Sequence, residues 1–182
     1  MKALLVIDAQ NGIVTKKDFS SVLHSIKQLI SIFTSRKEPV FFLLQEDEQG
    51  NGDLVPGTWN GELIADLALF DHPIITKRSP SAFHKTALLE EKLREKGVDH
   101  VVICGFNTEY CALFTAIAAY DRGFKVSFIE DATGTVADAN TYEMPGLDIR
   151  DFVGSVLNWS KVIDVPYFEE FKRQLAEECR GL

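Results

Sequence analysis

Ala3-Leu4-Leu5-Val6-Ile7-Asp8, near the start of the 182-residue chain, decides the fold. Five apolar residues in a row, with no polar alternation, describe a strand buried on both faces. Strands of that kind belong to parallel sheets covered by helices on each side. Residues 40–44 repeat it, and shorter apolar runs lie within residues 73–76, 100–104, 125–129 and 161–165. Segments of helical period lie between these runs. Residues 20–35 carry Val22, Leu23, Ile26, Leu29, Ile30 and Phe33 on one face. Residues 88–96 set Leu89 and Leu93 against charge, residues 108–122 are Ala-rich with Gly123 as a stop, and residues 148–159 are amphipathic. Strand and helix in alternation predict an α/β protein, and right-handed crossovers make it doubly wound. The expected architecture is a three-layer α/β/α sandwich around a mainly parallel, six-stranded sheet. With no repeat, low-complexity tract or linker, residues 1–182 read as one domain. Two long loops, 45–61 and 132–146, break the rhythm; loops of that length commonly cover or bind something.

Composition narrows the partners. Lys and Arg number 19 against 27 Asp and Glu, a net charge of −8. Nucleic-acid binding draws its affinity from Lys and Arg on phosphates, so this chain is not expected to bind nucleic acid. An anionic membrane surface is equally unsuited, and no apolar run approaches a spanning helix. The apolar run 3–7 is too short for a signal-peptide core. Three scattered cysteines, Cys104, Cys111 and Cys179, do not make a disulfide framework, which points to a reducing, cytoplasmic setting. Cys104 ends an apolar run and reads as a buried small hydrophobe; Cys179 lies in a polar tail without an assigned role.

In doubly wound sheets, ligands bind beyond the carboxyl ends of the strands. Asp8 follows the first strand, Lys77 the third, and Gly105-Phe106-Asn107-Thr108-Glu109-Tyr110-Cys111 the fourth. Each has an ordinary reading: a solvated strand end, a surface lysine beside Arg78, a small buried residue in an Ala-rich helix. Their convergence on one sheet edge favours chemistry. Thr108 fits the N-cap of the following helix, which puts Cys111 in its first turn, where free N–H groups and the helix dipole favour a thiolate. Asp, Lys and Cys then make sense as base, electrostatic stabiliser and nucleophile. A nucleotide-binding reading fails, because residues 8–12 offer one glycine where a phosphate loop needs a set.

The same residues resemble the isochorismatase-like cysteine hydrolases, a family that includes nicotinamidases and N-carbamoylsarcosine amidohydrolase. Leu4-Leu5-Val6-Ile7-Asp8-Ala9-Gln10-Asn11 is similar to the opening strand of that family. Ile75-Thr76-Lys77-Arg78-Ser79-Pro80-Ser81-Ala82-Phe83 is similar to its Lys segment, and Val102 to Cys111 to its nucleophile segment, with Gly123 and Asp131-Ala132 at the following turn and strand end. The resemblance covers about residues 1–165. It implies Asp8 as general base, Lys77 as charge partner and Cys111 as nucleophile. It also implies a cis peptide at Phe106–Asn107 and an oxyanion hole from the N–H groups of Asn107 and Cys111. Self-association into a homodimer or larger homo-oligomer follows by the same analogy.

Departures from the family shape the functional expectation. Nicotinamidases hold zinc through an Asp and histidines in the loop after the second strand. Here residues 45–53 contain no histidine, and His24, His72, His84 and His100 form no metal pair by spacing. No metal and no cofactor are therefore expected. Vinyl-ether-cleaving members typically lack the cysteine, so its presence favours acyl or amide chemistry. Asn140-Thr141-Tyr142-Glu143 stands near where many relatives carry a His. Pro56-Gly57-Thr58-Trp59 resembles the family's loop over the site. Gln10, Trp59, Phe83 and Tyr110 are candidates to line a substrate pocket. Glu46, Asp47, Glu48 and Glu109 offer an acidic rim for an amine, or simply a solvated surface. The expectation is a cysteine hydrolase, an amidohydrolase for a small amide, lactam or related C–N bond. The alternative is a catalytically silent protein of the same fold that binds a small ligand or serves as a scaffold.

Overall fold

The computed structural model describes residues 1–84 and 88–180. In chain order the elements are β1 Lys2–Ile7, α1 Asn11–Val14, α2 Ser20–Ser35, β2 Val40–Gln45, a 3₁₀ turn Trp59–Gly61, α3 Ala65–Ala68, β3 Ile74–Lys77, α4 Leu89–Glu95 and β4 His100–Phe106. A π turn at Thr108–Ala112 then leads into α5 Leu113–Asp121, followed by β5 Lys125–Gly134, α6 Ile149–Trp159 and α7 Phe168–Arg180. The five strands pair in parallel in the order β3-β2-β1-β4-β5. The apolar run of β1 lies at the centre, with Ala3 to Ile7 fully buried. Its alternate residues serve opposite layers. Ala3, Leu5 and Ile7 join the core shared with α4, α5 and α6, while Leu4 and Val6 join the core under α2 and α7. No described helix is long and apolar enough to cross a membrane.

The sheet has five strands rather than the expected six. Residues 161–165 reach it through a single parallel bridge, Ser127 to Asp164. Asp164 N–H donates to Val126 O at 3.0 Å and Phe128 N–H to Asp164 O at 2.8 Å. Pro166 follows with no N–H to extend the ladder. Two further boundaries differ. β5 runs on to Gly134, so its following loop begins later than residue 132. The polar tail folds as α7, which buries Phe168, Phe171 and Leu175. Cys179 falls in α7, but its side chain lies outside the described residues.

The strand order reverses between β1 and β4. β1 continues to β2 and β3 on one side, while β4 and β5 lie on the other, so the crevice at their carboxyl ends is the switch point of the sheet. The close approach there depends on Gly105. Its φ is +111°, and a Cβ would stand 2.1 Å from Ile7 O. Gly105→Ala therefore has to push β4 off β1 and adopt a backbone that L residues avoid. We expect this substitution to cost at least about 2 kcal/mol, read as a lowered midpoint in urea unfolding. An unchanged midpoint would show that β4 has room to shift.

Candidate active site

Asp8 leaves β1 with a left-handed backbone, φ +47°, which Asp tolerates better than most residues. Its N–H donates to Leu43 O at 2.8 Å, so the turn stays tied to β2. Lys77, the last residue of β3, is 1% exposed. Its Nζ donates to Asp8 Oδ2 at 2.8 Å and to Gln45 Oε1 at 3.0 Å. Thus an ion pair links the ends of two strands across β2, and the last residue of β2 supplies a further acceptor. Asp8 Oδ1 is buried and has no hydrogen-bond partner among the described residues. The Cys111 thiol is close enough to interact with both Asp8 and Lys77.

Cys111 is half-buried inside the π turn that follows β4. The Phe106–Asn107 peptide at the head of this turn is cis. The capping position belongs to Asn107, not to Thr108 as the sequence suggests, and no side chain caps the turn. Thr108 is fully buried, and its hydroxyl donates to Thr133 Oγ1 at 3.0 Å. Asn107 Oδ1 accepts from Val136 N–H at 3.0 Å. Both side chains therefore fasten the Cys111 turn to β5 and to the segment after it.

The electrostatics correct one expectation. Helix dipole and Lys77 were expected to favour a thiolate, yet the Cys111 thiol is pushed up to about 12. Burial is the largest cause, and the Asp8 carboxylate adds to it; together they outweigh the lowering by Lys77. The resting group is a thiol. Asp8 is raised above the ordinary carboxylate range, chiefly by burial and despite Lys77. Burial works against the Lys77 ammonium, but Asp8 and Cys111 hold its pKa up. The site thus sets a carboxylate made more basic within interaction distance of a thiol that burial keeps protonated.

The four pocket candidates divide. Gln10 is fully buried and does not line a pocket. Its Nε2 donates to Gln45 O at 2.9 Å and to Gly61 O at 2.8 Å, and its Oε1 accepts from Gln45 N–H at 3.0 Å. It is a brace that holds the end of β2 and the 3₁₀ turn. Phe83 is 4% exposed and packs in the core against Phe124, because the segment after Lys77 turns inward there. Trp59 on the 3₁₀ turn and Tyr110 beside Cys111 are exposed. Nor is the acidic rim bare. Glu46 pairs with Arg78 at 3.3 Å, and Asp47 Oδ2 accepts from Leu54 N–H at 3.0 Å. Glu109 Oε1 accepts from Thr135 Oγ1 at 2.7 Å and from Tyr142 OH at 3.1 Å.

Sequence reasoning missed Gln45 as a partner of Lys77. The signal was its place at a strand end beside Asp8 and Lys77, hidden by reading it as the start of a loop. Zinc does not fit here. Residues 45–53 offer no imidazole, and Asp47 is committed to backbone. Among the described residues no group of three His, Cys, Asp or Glu side chains is placed to hold a metal ion.

A thiol, a carboxylate and an ammonium thus meet at the carboxyl edge of a 3-2-1-4-5 parallel sheet. The isochorismatase domain model matches residues 2–159, and the chain belongs to the isochorismatase family, as a hydrolase. It is 33% identical over 150 residues to the uncharacterized isochorismatase family protein YwoC of Bacillus subtilis, covering 75% of this chain and 79% of that protein. It is 34% identical over 151 residues to nicotinamidase 3 of Arabidopsis thaliana, covering 73% of each. Among solved structures, a putative isochorismatase from Burkholderia xenovorans superposes with TM-score 0.83 at 27% identity, covering 93% of this chain and 85% of that one.

Removing one member of a buried ion pair leaves the other uncompensated, which typically costs about 3–5 kcal/mol. We expect Lys77→Met to destabilise the protein by about that amount. Asp8→Asn added to it should cost less than the sum of the two single changes. Urea unfolding of the four proteins closes this cycle. Strict additivity would show that the two groups do not act as a pair.

Proposed function

We propose that this chain is a metal-independent cysteine hydrolase that opens a small amide, lactam or related C–N bond through a thioester on Cys111. The observation that carries the reading is the buried Asp8 carboxylate, with Oδ1 unpartnered and Oδ2 fixed by Lys77 at 2.8 Å, close enough to the Cys111 thiol to interact with it. On substrate binding, Asp8 Oδ1 accepts the thiol proton and the sulfur attacks the carbonyl carbon. Lys77 offsets the charge that develops on sulfur. The carbonyl oxygen becomes an oxyanion that rests on the N–H groups of Asn107 and Cys111. Collapse of this intermediate breaks the C–N bond, and Asp8 passes its proton to the departing nitrogen. Asp8 then takes a proton from the water that attacks the thioester, the C–S bond breaks, and Asp8 returns that proton to the departing sulfur, releasing the carboxylic acid and restoring the free thiol. Trp59 and Tyr110 are exposed and available to a substrate. Nicotinamidase 3 among the relatives supports amide chemistry, while the donor set in residues 45–53 argues against a bound zinc. The substrate is a small molecule that reaches the site from solvent. The free thiols of Cys104 and Cys111 support a reducing compartment, the cytoplasm, as the setting.

Ammonia or amine release across a panel of small amides and lactams tests this reading. We expect turnover of at least one member, unchanged after exhaustive chelation. Cys111→Ala should abolish it, and Asp8→Asn should lower it by at least about 100-fold. Because Asp8 is raised, kcat/KM should fall with acidification at a pH above the ordinary carboxylate value of about 3.9. Lys77 lowers the Asp8 pKa, so Lys77→Met should move this acid limb to higher pH. Turnover that survives Cys111→Ala, or that is restored only by zinc, contradicts the proposal.

A further inference from the structure

We infer that Gln45 is a positioning residue: its side-chain amide holds the Lys77 ammonium on one oxygen of Asp8 and so keeps the other oxygen free. The inference deepens the proposed hydrolysis and rests on it wherever turnover is read. An ammonium has three N–H donors and no acceptor. Lys77 gives one to Asp8 Oδ2 at 2.8 Å and one to Gln45 Oε1 at 3.0 Å. The Cys111 sulfur is close enough to interact with the ammonium as well. Asp8 Oδ1 is left without a partner among the described residues. If the acceptor on the β2 side were lost, a buried N–H of Lys77 would go unsatisfied, which is costly. The ammonium would then settle across both Asp8 oxygens. Gln45 thus decides how Lys77 divides its hydrogen bonds, and through Lys77 it decides how much of Asp8 is available to a proton.

The amide is held from both ends. Gln45 Nε2 donates to Asp47 Oδ1 and to Glu46 O, both at 3.3 Å. Lys77 only donates and the Asp47 carboxylate only accepts, so a single orientation of the amide satisfies both. Asp47 is itself fixed, since its Oδ2 accepts from Leu54 N–H at 3.0 Å and its N–H donates to Leu54 O at 3.1 Å. Gly52 lies against it, where a Cβ would stand 2.1 Å from Asp47 Oδ2. Glu46, next in the chain to Gln45, is paired with Arg78 at 3.3 Å. The buried Gln10 secures the Gln45 backbone through both its N–H and its carbonyl. An uncharged acceptor is what this place requires. Leu has similar bulk and accepts nothing. Glu accepts, but it adds a second negative charge beside Asp8 and draws Lys77 toward itself. The two substitutions therefore push the Asp8 carboxyl in opposite directions, which a loss of packing does not do.

Carbon-13 NMR of the full chain with carboxyl-labelled aspartate tests the inference without any turnover, the Asp8 signal being assigned by its loss in Asp8→Asn. We expect Gln45→Leu to lower the Asp8 pKa and Gln45→Glu to raise it, each by at least about half a pH unit, or about threefold in proton affinity. Where an amide is turned over, the acid limb of kcat/KM should move with the Asp8 pKa. Gln45→Leu should then lower kcat at least about 10-fold and change KM less than about threefold, because Gln45 acts through Lys77 and not on the substrate. Circular dichroism checks that the variants fold. A second readout needs no variant: the Gln45 side-chain amide protons of the wild type should exchange with solvent at least about 10-fold more slowly than those of a free glutamine. Opposite Asp8 shifts in a chain that turns over no amide uphold this inference and count against the hydrolase reading alone. Shifts of the same sign, or no shift in either variant or in one of them, overturn the inference whatever the turnover. Unprotected Gln45 amide protons overturn it as well.

Discussion

The buried contact between Lys77 Nζ and Asp8 Oδ2, at 2.8 Å, is the constraint on which the rest of the site depends. Two opposite charges are held almost entirely out of water. Desolvation of such ions is expensive, so a pair of this kind is weak evidence for stability in itself. The raised Asp8 pKa says the same: burial works against the carboxylate more than Lys77 relieves it. What the arrangement provides is a carboxylate fixed in place. Oδ2 is committed to the ammonium, Oδ1 is left free, and the carboxylate is more basic than it would be in solvent.

The fold exists around that constraint in a concrete sense. Asp8 and Lys77 stand at the ends of β1 and β3, which are not neighbours; β2 runs between them. Gln45 at the end of β2 accepts from Lys77 and is itself fixed through its backbone by the buried Gln10. On the other side of the switch point, Thr108 and Asn107 fasten the Cys111 turn to β5 and to the segment beyond it. Positioning of the three reactive groups is thus spread over all five strands.

Much of this was legible in the sequence. Apolar runs at residues 3–7, 40–44 and 101–104, alternating with helical periods, point to strands of a covered parallel sheet, and that topology places Asp8, Lys77 and the Cys111 segment on one edge. Three kinds of information were not legible. The sixth strand looked like the others as an apolar run, but Pro166 truncates its ladder, and edge pairing leaves little trace in hydropathy. Gln10 and Phe83 sit next to motif residues, and chain proximity does not reveal which way a side chain turns; the structure sends both inward. The protonation state of Cys111 was misread because helix dipole and lysine are visible in sequence, whereas desolvation is visible only once the turn is packed. The amphipathic pattern of Phe168, Phe171 and Leu175 was available and would have identified α7.

The central claim is that Cys111 rests as a thiol and becomes nucleophilic only when a substrate draws its proton to Asp8. Thiolate absorbance near 240 nm, taken as the difference between wild type and Cys111→Ala across a pH titration, reads that state directly. The account predicts no difference signal through about pH 9, since the group titrates far above the free-thiol value of about 8.5. A full thiolate signal already present at neutral pH would contradict it. In that case Lys77, not Asp8, would govern the sulfur.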